Sequence, residues 1–221
     1  MKRNLKRNII ILCSLVFIIG ITTYFLIPKQ KIITVNGIIA DNSKMDLIND
    51  SSVIVRGTVN KLLPGKWSNP DFKKGKDVRN IIQTDIIIDI SDVYKGIPYD
   101  NKAITVRIEK GEVGNVKMIS EGYPDFSPGE EVILFLSIDE GDLAEPNENN
   151  YVLTGMLQGK FTLAQSTSSD KIYKSPHDKD TLKLSSVKNE IDDALEYLKK
   201  NPLPRMTKEE IRKNNEKLFG K

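Results

Sequence analysis

The chain has 221 residues, with 39% hydrophobic and 29% charged positions and a formal net charge of +3. That positive balance is local: the first 31 residues carry six Lys/Arg and no acid, leaving 27 basic against 30 acidic residues beyond them, which excludes an overall polyanion-binding bias. A single cysteine, Cys13, excludes a disulfide scaffold, so the chain beyond it must be held by its own core.

Ile9 to Ile27, IIILCSLVFIIGITTYFLI, is an uncharged apolar run. At 1.5 Å per residue, about 20 residues suffice to cross a hydrocarbon core of about 30 Å. Lys2, Arg3, Lys6 and Arg7 precede the run, while only Lys29 and Lys31 follow closely. The positive-inside bias therefore puts the N-terminus in the cytoplasm and the remaining chain outside, as a single-pass protein of the cell membrane whose partner here is the bilayer. A cleaved signal peptide, followed by secretion, is the rival reading. Against it, the run is long for an h-region, and Gly20-Ile21-Thr22, the best small-x-small site, puts threonine at the cleavage position. Cys13 follows Leu12, where a lipobox wants a small residue, and so reads as an inert membrane-embedded thiol. The expected organisation is a cytoplasmic tip and signal anchor over 1–30, a tether over 31–42, a barrel domain over 43–184 and a helical segment over 185–221.

After the tether, NSKMDLIND reads as a short helix with Asn42 or Ser43 as N-cap. SSVIVRGTV then sets Val53, Val55, Gly57 and Val59 on one face and Ile54, Arg56, Thr58 and Asn60 on the other, the period of a half-buried strand. In the next strand Ile82, Thr84, Ile86, Ile88 and Ile90 form the inner face and Gln83, Asp85, Ile87, Asp89 and Ser91 the outer, and YKGIPYDN ends it in a turn at Gly96. AITVRIE alternates Ile104, Val106 and Ile108 against Thr105, Arg107 and Glu109, and EEVILFLSI, apolar on both faces, reads as central. YVLTGMLQGKFTL carries Gly155 and Gly159 where bends fit, and KIYKS adds a hairpin strand. In SSVKNEIDDALEYLKKNP, Val187, Ile191, Ala194, Leu195 and Leu198 make a helical stripe that Ser186 can cap. TKEEIRKNNEKLFG opens with the capping box Thr207 to Glu210 but has a weak apolar set, so it is expected to fray or project. The fold class is mainly β: an N-terminal transmembrane helix, an OB-like antiparallel β-barrel, closed or nearly so, and C-terminal helices.

The segments SSVIVRGTV, TDIIIDISDVYKG, ITVRIEKGE, FSPGEEVILFLS and YVLTGMLQGKFTL, taken in order, resemble the oligonucleotide/oligosaccharide-binding barrels of the netrin C-terminal domain and tissue-inhibitor-of-metalloproteinase family. The likeness covers about residues 43 to 175 and is greatest to uncharacterised secreted or membrane-anchored bacterial relatives. It implies a barrel and, by analogy, regulation or inhibition of an extracellular protease. The inhibitors of that family chelate the enzyme's zinc through a mature N-terminal cysteine, and no residue here matches it, so that mechanism is not carried over.

No nucleophile elbow, Cys/His pair, phosphate loop or zinc spacing is present, and no catalytic residue, metal site or cofactor is assigned. His177, in KSPHDKD, reads as a surface histidine. Asp85 and Asp89 lie about 13 Å apart on one strand, too far for acid/base partners, and with Asp92 read as solvated acids. EKGEVGN reads as a loop between barrel strands. The most informative loop runs from Lys61 to Asn80, with the only tryptophan, Trp67, and Phe72 among Lys66, Lys73, Lys74 and Lys76. Aromatics among cations suit stacking on sugars or bases and contact with phosphates, which makes these six the candidate binding residues. Equally, Trp67 can fold back as a lid while the lysines keep a long hairpin soluble. The expectation is a non-catalytic, membrane-tethered interaction or ligand-binding module outside the cytoplasm, engaging an envelope polymer or envelope protein and no nucleic acid.

Overall fold

The strands form where β-branched residues alternate or run together, and their order in space decides which faces are covered. The computed structural model describes residues 29–36, 41–141, 143–144, 147–176, 180–203 and 213. The apolar run 9–27, His177 and, but for Lys213, the segment from Thr207 onward lie outside the described residues. Among those described, no helix is long and apolar enough to cross a membrane.

The elements in chain order are β1 (Lys31–Val35), α1 (Lys44–Asp50), β2 (Val53–Leu62), β3 (Lys66–Trp67), β4 (Ile82–Lys95), β5 (Ala103–Ile108), β6 (Gly111–Val113), β7 (Val116–Ser120), β8 (Glu131–Ile138), β9 (Asn150–Leu153), β10 (Lys160–Ser166), β11 (Lys171–Lys174), β12 (Thr181–Lys183) and α2 (Val187–Lys200). Five of them close a barrel: β2 pairs with β4, β4 with β5, β5 with β9, β9 with β8, and β8 with β2 again. This ring order is consistent with an OB-like barrel. The antiparallel expectation needs one correction, since β5 and β9 are parallel. Strand direction cannot alternate all the way round a ring of five, so one seam must break the rule.

Most of the predicted inner residues fill the barrel: Val53, Val55, Val59, Ile86, Ile88, Ile104, Val106 and Ile108 share one buried cluster with Leu134, Leu136, Phe126 and Tyr151, whereas Ile82, also expected on the inner face, packs in a separate cluster with Met118 and Trp67. Each such side chain contributes about 1.5 to 3 kcal/mol of burial. The segment 151–163, read as one bent strand, is two strands with a single 3-10 turn, Met156–Gly159, between them. A Cβ at Gly159 would lie 2.3 Å from the Thr154 carbonyl oxygen, so the chain can fold this tightly only with glycine there. The kink lets one edge of β8 serve two partners, β10 at Val132–Leu134 and β9 at Leu136–Ile138.

Outside the barrel, the second face of β2 and β8 is covered as well. Ile54, Ile133 and Phe135 pack with Phe161, Tyr173 and Leu182 beneath α1 and α2, so β2 is buried on both faces where only one burial face was expected. α2 presents Val187, Ile191, Ala194 and Leu198 to this layer, one stripe at helical spacing. Ser186 does not cap it: its hydroxyl donates to the Glu190 carboxylate at 2.6 Å. Ser43 does cap α1, in a reciprocal box with Asp46. A small sheet, β1-β7-β6, adds a third layer in which Ile33, Val35, Val113 and Val116 pack on Ile82 and Met118. β1 thus makes a strand of the segment expected to be tether, and β6 and β7 make a hairpin of the segment read as a loop.

Candidate functional site

The third face of the barrel is formed by the outward residues of β4, β5 and β9. Alternation places Gln83 and Asp85 of β4, Arg107 of β5 and Val152 of β9 there, and the registers set Asp85 opposite Arg107 and Arg107 opposite Val152. The β2–β4 connection flanks this face on one side and the β8–β9 connection on the other. The two connections fold over it. Arg107, set by alternation on the face opposite Ile104, Val106 and Ile108, is 1% exposed, and Asp85 is buried rather than solvated.

Burial of these charges is compensated by pairing. Arg107 donates bidentately to Asp85, Nε to Oδ1 at 2.7 Å and Nη2 to Oδ2 at 2.9 Å, and Nη2 also donates to the Glu148 carboxylate. Lys66 Nζ lies 3.1 Å from both Asp85 Oδ2 and Glu148 Oε1. Burial alone would push the Asp85 carboxyl up, but Arg107 and Lys66 hold it below its ordinary value, and the same contest lowers Glu148. The other two expected solvated acids separate: Asp89 is exposed and accepts from Asn60, while Asp92 pairs with Arg56.

One guanidinium nitrogen is left over. Among the described residues, Arg107 Nη1 is buried without a hydrogen-bond partner, and Asp139 Oδ2 is 3.8 Å away. Arg107 lines a cavity of about 240 Å³ with Gln83, Glu109 and Val152 from the strands, Val78 and Arg79 from one connection, and Asp139 and Leu143 from the other. Burial pushes the Glu109 carboxyl up, with Arg79 opposing the rise and Asp139 adding to it. A second cavity of about 400 Å³ is lined by Lys66, Trp67, Pro70, Gln83, Asn147 and Glu148. Gln83 borders both, so they form neighbouring compartments on one face. The set offers guanidinium and amide donors beside carboxylate acceptors, an arrangement suited to hydrogen bonding. No group of three or more His, Cys, Asp or Glu among the described residues is placed to hold a metal ion.

The six candidate residues of the Lys61–Asn80 loop are divided by the structure. Trp67 pairs with Ile82 in the β3–β4 ladder and packs half-buried on Ile81, Ile82, Met118 and Leu143, so most of its ring acts as a lid while part of it lines the second cavity. Lys66 belongs to the ion cluster. Lys74 Nζ donates to the Leu143 carbonyl at 2.6 Å, tying the two connections together. Phe72, 53% exposed, and the exposed Lys73 and Lys76 sit at the loop tip and line neither cavity. The loop is built around Asn69, fully buried, whose amide donates to the Gly75 and Val78 carbonyls and accepts from the Lys74 N–H.

Sequence reasoning missed Arg107, Gln83, Glu148 and Asn69. A signal existed for one pair: an acid and an arginine at outward positions of consecutive strands are candidates for a cross-strand ion pair. Compared with known proteins, the chain matches no family model, and no curated protein shows significant similarity to it.

Proposed function

We propose that this chain is a non-catalytic ligand-binding module, tethered to the cell membrane and displayed outside the cytoplasm, whose binding surface is the β4-β5-β9 face around Arg107. The observation that carries the reading is the buried Arg107 Nη1, without a hydrogen-bond partner among the described residues and only loosely paired with Asp139 at 3.8 Å, at the wall of a cavity that two loops line. A buried donor without a hydrogen bond costs free energy, which a ligand oxygen would restore. The ring order and the order of segments suit the netrin-like resemblance, and the sided charge around the apolar run 9–27 supports the anchored topology.

The chemistry of the lining favours a neutral, hydroxyl-rich unit, such as a sugar of an envelope polysaccharide. Asp77, Glu109 and Asp139 line the same cavity as Arg79 and Arg107, so a polyphosphate would meet as much repulsion as attraction. Hydroxyls can donate to the carboxylates and accept from the guanidinium groups at once. Trp67 borders the neighbouring compartment, where a second unit could lie against its ring.

Calorimetric titration of the detergent-solubilised full chain with envelope oligosaccharide fragments tests this. Binding that is lost in Val152→Phe, which fills the cavity, with an unchanged melting temperature, is the expected result. Binding indifferent to that substitution would move the site elsewhere. Sustained turnover of the fragments, abolished by one substitution on this face, would contradict the non-catalytic reading.

A further inference from the structure

The chain enters the described structure already bound. Lys31 N–H donates to the Asn115 carbonyl at 2.7 Å, and Asn115 Nδ2 donates to the Lys29 carbonyl at 3.4 Å. From there β1 runs parallel to β7, Lys31 beside Val116 through to Val35 beside Ser120. Lys29 lies two residues beyond Ile27, the end of the apolar run. Two residues span at most about 7 Å. The β6–β7 turn, Gly114–Asn115, is therefore tied to the point at which an anchored chain would leave the bilayer.

Resting on the anchored reading above, we infer that the β6–β7 end of the molecule is seated against the lipid headgroup layer and that the barrel is held in one orientation rather than hung on a flexible tether. The parallel pairing fixes the sense of that orientation. β1 and β7 travel away from the turn together, so Ser120 lies roughly 13 Å farther from the membrane than Val116.

The chemistry at this end fits a headgroup layer. Among the described residues, Lys29, Lys31 and Lys117 are exposed there beside the exposed acids Glu112 and Asp125, and the basic excess attracts anionic lipid. The β2–β3 turn lies at the same end, since a Cβ on Gly65 would sit 2.4 Å from the Glu112 carbonyl oxygen. It brings Leu62, 38% exposed, to a groove of about 430 Å³ whose wall includes Ile108, Met118, Phe126 and the partly exposed Ile119, with Lys117 and Glu112 and the ion pair of Lys110 with Asp125 also lining it. Ile32, beside Lys117 in the ladder, is 58% exposed on the same side of the small sheet. Apolar side chains interleaved with lysines are the composition of surfaces that rest in a membrane interface.

The test uses the full chain with Cys13→Ser as background, reconstituted in vesicles of phosphatidylcholine and phosphatidylglycerol that carry a headgroup acceptor dye. Single cysteines replace Glu112, near the turn, or Glu121, beyond the far end of β7, and each receives a donor dye. Energy transfer from position 112 should exceed that from 121 several-fold, and Lys31→Pro, which removes the N–H donated to Asn115, should narrow the difference. A chain that resists alkaline carbonate extraction yet transfers equally from both positions overturns the orientation alone. A chain that carbonate extracts overturns the anchored reading and this inference with it.

Discussion

Replacing Arg107 by methionine probes the ion cluster at its centre. The substitution keeps most of the side-chain volume but strips Asp85 of its bidentate partner and Glu148 of one of its donors, leaving Lys66, among the described residues, as the cation within salt-bridge distance of both. Removing one member of a buried pair costs about 3 to 5 kcal/mol, whereas an exposed pair is worth about 1 kcal/mol or less. With Arg107 1% exposed and Asp85 buried, the upper range applies. The sign of the pH dependence follows from Asp85, whose carboxyl is depressed in the folded protein by Arg107 and Lys66 against the effect of burial. Its stabilisation is present above the unfolded carboxylate pKa and is lost as pH falls through the folded one. In Arg107→Met the buried carboxyl rises instead, so the variant's deficit should be largest at neutral pH and shrink on acidification through the carboxylate range. Urea unfolding of wild type and variant at both pH values measures this, and adding Asp85→Asn should recover part of the loss. A deficit below about 1 kcal/mol, or one that does not change with pH, would refute the buried-pair argument.

Three further outcomes are expected. Trp67→Ala should cost about 2 kcal/mol, less than a fully buried ring, while Lys73→Ala with Lys76→Ala leaves thermal unfolding within about 0.5 kcal/mol of wild type; the reverse pattern would make the loop tip structural. Gly96→Val should lose roughly 1 to 3 kcal/mol in the same assay, because Gly96 holds φ +75° and a Cβ there would lie 2.1 Å from the Ser52 carbonyl oxygen. Glu130→Ala should be costly by about 3 kcal/mol, since it removes the carboxylate that holds the buried Lys160 ammonium at 2.7 Å and leaves that charge only the Asp125 carbonyl and the Phe126 ring among the described residues, and Lys160→Met should rescue part of that loss; equal stability of the two variants would contradict it.

What could be read from the sequence was whatever a short window determines. The alternation in 53–59, 86–90 and 104–108 assigns each residue to one of two faces, and the apolar face is the one that fills the barrel; Ile82, at the start of its strand, packs instead with Met118 and Trp67. Alternation does not say which face meets water. Asp85 and Arg107 sit where the pattern puts them, but they are buried beneath residues brought from elsewhere in the chain, among them Lys66, Asp139 and Glu148, a tertiary event that neither strand encodes. The α2 stripe was legible because its partners lie at helical spacing within one segment. β1 and β6 were not: KIITV lies beside a partner 85 residues away, and β6 is only three residues long, so neither carries a local signal strong enough to be read as a strand. Trp67 could be read as a ligand platform or as a lid, and the packing on Ile82 and Met118 gives most of its ring to the second role. Phe72, Lys73 and Lys76 were grouped with it by proximity in sequence, which a folded loop organised around Asn69 does not preserve.

The measurement that bears most directly on the central claim is a crystal structure of the chain with a bound envelope oligosaccharide. The account predicts a sugar hydroxyl at about 3 Å from Arg107 Nη1, within the compartment bordered by Gln83, Glu109 and Val152. An oligosaccharide seated instead on Phe72, Lys73 and Lys76 at the loop tip, with Arg107 Nη1 still without a ligand contact, would contradict it.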